Sequence, residues 1–149
     1  MPLQGREKVK KMTEDHYLKV NDELRKIALK GFRNIIKGTP VDTGRARNNW
    51  FLTIVTPSAK VVNGEGFPAK PKIPKRVLNN KLFFTNNLPY IEVLEYGGYP
   101  KQDLSAGPTV SKTRKTSGGF SIQAPGGWVR KELIDMSNKI RAISLGIND

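Results

Sequence analysis

Two glutamates, Glu92 and Glu95, come closest in this chain to the residue types and spacing of a catalytic site. Three residues apart, they share one face if the segment is helical, and paired carboxylates can act as general acid and base. The alternative is a solvated or interface-facing pair, which we favour because no nucleophile or metal motif accompanies them. The single histidine, His16, is interpreted as a surface residue of a helix. We therefore expect no enzyme activity, no metal and no cofactor.

The composition narrows the remaining classes of protein. With no cysteine, the chain has no disulfide framework, no thiolate nucleophile and no cysteine-ligated zinc. Its 149 residues suit one domain, and an apolar share of 37% indicates a modest core. Its apolar runs are too short to cross a bilayer, and its first residues lack the apolar stretch of a secretory signal. We expect a soluble protein without membrane contact.

The net charge of +13 raises the chance of a polyanionic partner, nucleic acid first and anionic lipid second. Solubility and complementarity to an acidic protein neighbour are the alternatives. Two groups of basic residues lie in segments rich in proline, glycine and serine, where they are free to contact phosphates or merely to be solvated. These candidate DNA-facing or partner-facing residues are Lys70, Lys72, Lys75 and Arg76 in the first loop, and Lys112, Arg114 and Lys115 in the second.

The elements that position these side chains are predicted from periodicity. Residues 1–12 are basic and lack a regular apolar pattern, which predicts a flexible arm. A helix is predicted from Thr13, as N-cap, to Gly38, because apolar residues recur every three or four positions. A second apolar stripe, from Val129 to Ile143, predicts a C-terminal helix.

Between these helices the sequence predicts short elements and two long excursions. Residues 57–81 and 99–119 form the excursions, the first with a possible short strand at 60–63. The remaining predicted elements are strands at 49–56, 81–85 and 120–124 and a short helix within 86–98, for which a strand is the alternative. Together they predict one α+β domain over 13–149, with a small, mostly antiparallel sheet packed against the N-terminal and C-terminal helices.

The stretch 39–50, TPVDTGRARNNW, is a polar turn followed by a large aromatic residue. Asp42 and Thr43 can fix such a turn through side-chain to backbone hydrogen bonds. Gly44 can supply a positive φ if the turn needs one. The stretch therefore predicts a tight turn that leads into the first strand.

Two arginines leave this turn and can pair with carboxylates. On an extended backbone Arg45 and Arg47 lie on one side of the strand and Trp50 on the other. A guanidinium on a rigid turn suits bidentate pairing, for which Glu95 or Glu92 is the candidate. A pair within one subunit and a contact between subunits remain equally open, because arginine and tryptophan are also enriched at interfaces.

Three separated segments carry a resemblance. They are TPVDTGRARNNW at 39–50, LPYIEVLEYGGYPKQ at 88–102 and QAPGGWVRKEL at 123–133. In this order they resemble the tail-completion proteins of long-tailed bacteriophages, of the minor tail protein Z type. They are also similar to the broader head–tail connector or neck family, with its P-V-D-T-G-x-L-R turn and Y-x-x-x-x-E-Y-G segment. The chain departs from that pattern in the basic loop that separates the second and third segments.

The resemblance implies a structural virion protein, assembled in the cytoplasm of the host bacterium. Such subunits form rings, commonly six-fold, at the head–tail junction, where they join the tail to the head and let DNA pass. The implied partners are further copies of the chain, portal-side connector proteins, tail tube or terminator proteins, and phage DNA through non-specific contact. A terminator that caps the tail tube and a non-specific nucleic-acid-binding protein are the alternatives.

The same three segments supply the residues expected to hold the fold or form the interface. Trp128 and Arg130, at the start of the last helix, allow both roles, as the arginines of the turn do. The full set is Asp42, Thr43, Gly44, Arg45, Arg47, Trp50, Tyr90, Glu92, Glu95, Tyr96, Gly97, Trp128 and Arg130.

Overall fold

The computed structural model describes residues 2–41, 43–64, 73–98, 116–117, 120–121 and 126–146. In chain order its elements are α1 (Pro2–Gly38), α2 (Arg45–Asn48), β1 (Phe51–Ile54), β2 (Leu82–Thr85), α3 (Ile91–Tyr96), β3 (Thr116–Ser117), β4 (Phe120–Ser121) and α4 (Trp128–Ser144). A long N-terminal helix, a C-terminal helix and a small antiparallel sheet confirm the α+β fold class. No helix among the described residues is long and apolar enough to span a membrane.

Helix α1 begins at Pro2, so the prediction of a flexible arm before Thr13 was wrong for the described part of that segment. Glutamine, lysine, arginine and glutamate dominate residues 4–12, and these types have high helix propensity even without an apolar stripe. Thr13 is therefore not an N-cap. It lies inside the helix, where its Oγ1 donates a hydrogen bond to the carbonyl of Val9 at 2.9 Å.

The core lies around the C-terminal half of α1. Its buried side chains come from α1, α2, α3, α4 and the segments between them. They are Phe32, Ile35, Ile36, Ala46, Trp50, Leu88, Leu94, Trp128 and Met136. All lie close to the end of α1, whereas every side chain from Gln4 to His16 is exposed. The first half of α1 thus extends away from the core.

Helix α4 packs antiparallel on α1. Its first residue, Trp128, faces Gly38, and Met136, two turns later, faces Gly31. Between them Asn34 donates a hydrogen bond to Glu132 at 3.0 Å. The glycines allow close approach, since a Cβ on Gly31 would lie 2.0 Å from the Met136 sulfur. The predicted stripe of α4 is only partly buried, because Leu133 and Ile140 are exposed.

Strands β1 and β2 form an antiparallel pair, with Phe51 opposite Thr85 and Ile54 opposite Leu82. Strands β3 and β4 form a second pair. No strand forms at 60–63, contrary to the prediction, because both backbone groups of Val62 bond to the side chain of Asn49 instead. The prediction of a short helix after β2 is confirmed by α3, which ends at Gly97 with a φ of 81°.

The second half of the 57–81 excursion lies against α1 rather than extending away, which corrects the prediction. The buried Asn21 side chain bonds to three backbone groups there: it donates to the Lys75 carbonyl and accepts from the amides of Val77 and Leu78. The side chain of Val77 is buried as a result. An amide side chain has both donor and acceptor, so one residue can fix an irregular segment. The excursion at 99–119 lies outside the described residues except for 116–117.

The packing of α4 on the end of α1 predicts opposite outcomes for two glycine substitutions. A Cβ on Gly38 would lie 2.6 Å from the rigid indole of Trp128, whereas a Cβ on Gly5 would meet nothing within 4 Å. We expect Gly38→Ala to lower the free energy of unfolding by about 1–3 kcal/mol through overpacking. Gly5→Ala should leave it unchanged or raise it by up to about 1 kcal/mol. Urea denaturation of both variants tests this, and equal effects would contradict the close packing.

Candidate functional site

The segments that carry the resemblance meet at the C-terminal end of α1. We call this cluster the helix joint and define it by Thr39, Arg47, Trp50, Glu95, Trp128 and Arg130. It contains the C-terminal end of one helix and the N-terminal end of another, each with backbone groups that have no partner within its own helix.

The carbonyl oxygen of Ile35 is the centre of the joint. It accepts a hydrogen bond from Thr39 Oγ1 at 2.7 Å and one from the indole Nε1 of Trp128 at 3.1 Å. The indole Nε1 of Trp50 donates in turn to Thr39 Oγ1 at 2.8 Å. Thr39 and Ile35 are both fully buried, so these bonds form in a dry environment. Both tryptophans of the chain are thus held by the last turn of α1.

Arg47 completes the end of α1. Its Nε donates to the Thr39 carbonyl at 2.9 Å, and its Nη2 donates to the Lys37 carbonyl at 2.8 Å. A guanidinium is well suited to this position because it satisfies two carbonyls at once and complements the negative end of the helix dipole. The prediction that Arg47 pairs with Glu95 or Glu92 is therefore wrong.

The turn that carries Arg47 is partly as predicted. Gly44 has a φ of 85°, as a glycine at a tight turn can adopt, and the amide of Arg45 donates to Thr43 Oγ1 at 3.4 Å. The chain then forms the single helical turn α2, so the prediction that Arg45 and Arg47 alternate along a strand was wrong. Asp42 lies outside the described residues.

Asn49 is a structural residue of the turn that the sequence reasoning missed. It is fully buried, and its Nδ2 donates to the carbonyls of Arg45 at 2.8 Å and Val62 at 2.9 Å. Its Oδ1 accepts from the Val62 amide at 2.7 Å. The available signal was its position directly before a tryptophan expected to be buried. A buried amide side chain needs hydrogen-bond partners, which indicates a structural role.

Arg45 does not enter the joint. Its Nη2 donates to Asn63 Oδ1 at 3.0 Å, while its Nε is buried without a partner among the described residues. Glu92 and Tyr90 are exposed on and beside α3. Glu92 and Glu95 therefore do not form a carboxylate pair, because one faces solvent and the other is buried.

Glu95 satisfies the N-terminal end of α4. That helix has Gly127 as its N-cap, with no side-chain cap of its own. The buried carboxylate of Glu95 replaces one: it accepts from the amide of Val129 at 3.0 Å and from the amide of Arg130 at 3.1 Å. The backbone carbonyl of Glu95 also accepts from the Gly127 amide at 3.0 Å. The positive end of the helix dipole also stabilises a carboxylate at this position.

Arg130 is the true ionic partner of Glu95. Its Nε lies 3.0 Å from Glu95 Oε1, with 8% of the glutamate side chain and 53% of the arginine side chain exposed. The guanidinium also lies over the ring of Tyr96, at 4.6 Å from the centroid. The pairing is between residues of one chain. About half of the Arg130 side chain remains accessible to solvent.

The predicted basic loops are only partly described. Arg76 is not free: its Nε donates to the hydroxyl of Tyr17 at 2.7 Å, and its guanidinium lies 5.4 Å from that ring centroid. Lys75 is exposed, although its backbone carbonyl bonds to Asn21. The other predicted basic residues lie outside the described part: Lys70, Lys72, Lys112, Arg114 and Lys115.

The joint has the properties of a structural site. Its polar groups bond to one another and to backbone groups. Among the described residues, no three acidic or histidine side chains lie close enough together to hold a metal ion. A comparison of the chain with protein-family models, with curated proteins and with solved structures gave no match.

The position of Glu95 predicts a large effect of its removal. We expect Glu95→Ala to lower the free energy of unfolding by about 3–5 kcal/mol, since it leaves two amides and a guanidinium without their acceptor. Arg130→Ala should cost only about 1 kcal/mol because that side chain is half exposed. Glu92→Ala, on the same helix but exposed, is the matched control and should change stability by less than about 0.5 kcal/mol. Chemical denaturation followed by tryptophan fluorescence measures all three.

Alanine substitutions of the two arginines of the turn should also differ in their cost to stability. Arg47→Ala removes two charge-assisted hydrogen bonds to helix carbonyls and should cost about 2–4 kcal/mol. Arg45→Ala, two residues away, removes one bond and a buried unpaired nitrogen and should cost about 1 kcal/mol or less. Thermal and urea denaturation distinguish them. A larger cost for Arg45→Ala would contradict the arrangement described here.

Proposed function

We propose that this chain is a structural virion protein of a tailed bacteriophage. It forms a ring at the head–tail junction, acts in tail completion or as a neck subunit, and lets DNA pass. Its partners are further copies of itself, commonly six in such rings, with portal-side and tail-side proteins next to the ring. The ring functions by assembly, without a catalytic step.

The observation that carries this proposal is the convergence of the three motif segments. Arg47 and Trp50 of the first, Glu95 of the second and Trp128 of the third all lie at the helix joint. Together they satisfy the end of α1 and the start of α4. Segments that jointly satisfy two helix ends are expected to occur together in related chains, because each is useful only when the others are present.

The proposal moves the subunit interface away from the motif residues. Arg47, Trp50 and Glu95 have their partners within the chain, so they have little capacity left for a neighbour. The exposed half of α1 is the better candidate. Val9 and Met12 are 64% and 63% exposed there, three residues apart on one face. A helical segment without tertiary contacts is marginally stable in water, so a covering partner would stabilise this one.

The free side of α4 offers a second apolar surface. Its exposed members are Leu133, Ile134 and Ile140 of the helix and Leu145 directly after it. A closed ring uses two different patches on each subunit, one for each neighbour. The exposed half of α1 and the free side of α4 are two such patches on one molecule.

A tail terminator is the alternative within the same class, since a terminator also forms a ring on the tail. A non-specific nucleic-acid-binding protein is the alternative from another class, favoured by the net charge of +13. A defined oligomer, formed alone or on tails or connectors, supports the ring. A chain that stays monomeric, ignores tails and connectors, and binds DNA at sub-micromolar strength supports the second alternative.

Substitutions on α1 test the proposed interface. We expect Val9→Gln with Met12→Gln to reduce ring formation at least tenfold, because both apolar side chains would be covered in the ring. Leu18→Gln is the matched control: Leu18 is 60% exposed on the same helix but lies on the opposite side from Val9. Mass photometry and electron microscopy of the protein, alone and with isolated tails, measure assembly. If both variants assembled equally well, α1 would not be part of the interface.

A further inference from the structure

The side of α1 that faces away from the core carries a row of cations, with Asp22 and Glu23 between its first two members. They follow one another at steps of seven, four, three and four residues, which keeps them on one face of an α-helix. We call this row the basic ridge, and its members are Lys19, Lys26, Lys30, Arg33 and Lys37. All of them are exposed. At 1.5 Å per residue the ridge is about 27 Å long.

The side chains of the ridge have no partner among the described residues. Three other helix cations are paired: Arg25 with Asp22, Arg130 with Glu95 and Lys139 with Asp135. Two acids of α1 lie beside the ridge: Asp22, which faces Arg25 at 3.6 Å, and the half-buried Glu23. Glu132 of α4 lines a pocket with Lys26 and Lys30, and its carboxylate accepts a hydrogen bond from Asn34 at 3.0 Å. Repulsion between unpaired like charges one turn apart costs stability in an isolated helix. An anionic ligand would remove that repulsion.

The composition of the ridge favours phosphates over a protein partner. Lysine is depleted at protein–protein interfaces, whose centres are aromatic or apolar. The large exposed apolar residues of α1 are Val9, Met12 and Leu18, all before the ridge begins. A straight row of flexible point charges, without an apolar centre, is typical of contact with a nucleic-acid backbone. A duplex presents about one charge per 1.7 Å of its axis, so a surface of this length meets many phosphates.

We propose that the basic ridge is a docking surface for the phosphate backbone of duplex DNA, bound without base specificity. The ridge lies on a helix, whereas the basic residues predicted from the sequence lie in loops. The inference does not require the ring, since a single subunit presents the whole row. In a ring, several ridges would act on one duplex, and their effects would multiply through effective concentration.

A charge-matched pair of variants tests the ridge. The first carries Lys26→Gln, Lys30→Gln and Arg33→Gln, which keep helix propensity nearly constant. The control carries Lys60→Gln, Lys81→Gln and Lys131→Gln, which remove the same charge from exposed positions outside α1. Binding to a 30-base-pair duplex is followed by fluorescence anisotropy between 50 and 200 mM salt. Circular dichroism and the oligomeric state are measured for each variant.

We expect the ridge variant to bind the duplex at least about tenfold more weakly at 100 mM salt. Its slope of log K against log salt should be less steep by up to about 2.7, because each lost contact contributes about 0.9. The control variant should lose less than half as much affinity for the duplex. Both variants should form the same oligomer as the unsubstituted chain, which separates this inference from the proposed ring.

Three results would overturn the proposal. The first is no duplex binding by the unsubstituted chain at 50 mM salt. The second is an equal loss of binding in both variants, which would indicate general charge attraction. The third is unchanged duplex binding by the ridge variant together with lost binding to poly-glutamate, which would assign the ridge to an acidic protein neighbour.

Discussion

Backbone carbonyls of the last turn of α1 accept hydrogen bonds from side chains outside the helix, and the fold is organised around these donors. The Ile35 carbonyl takes donors from Thr39 and Trp128, while Arg47 serves the carbonyls of Lys37 and Thr39. Arg47 comes from the turn directly after α1, and Trp128 lies 93 residues along the chain from Ile35. Satisfying one helix end therefore also fixes that turn and the start of α4. Because Ile35 and Trp128 are both buried, a hydrogen bond lost between them would not be replaced by one to water.

The start of α4 lies at the same joint and has unpaired backbone amides, which need acceptors rather than donors. Its free amides and the positive end of its dipole are met by the carboxylate of Glu95, as the end of α1 is met by the guanidinium of Arg47. Each ionic residue therefore serves a helix end of opposite polarity. This explains why the two charged residues, which look complementary in sequence, do not pair with each other.

This division of roles leaves other surfaces for contacts with partners. Among the described residues, the exposed half of α1, the free side of α4 and the basic ridge have side chains without an intrachain role. The first exposes Val9 and Met12 among charged residues, the second is apolar, and the third is cationic and suits a polyanion. A ring subunit that contacts both protein and DNA would need surfaces of both kinds, separated along the molecule as they are here.

The sequence by itself determined the elements whose signals are local. The periodicity of α1 and α4, the β-branched strands and the stop at Gly97 all depend on neighbouring residues, and each was predicted. The tertiary structure decided the pairings: Glu95 with Arg130, Arg47 with helix carbonyls and Asn21 with the returning excursion. Those partners lie up to tens of residues apart, and several compatible donors and acceptors exist for each. Only the tertiary packing, which sets the distances between these groups, selects one pairing among them.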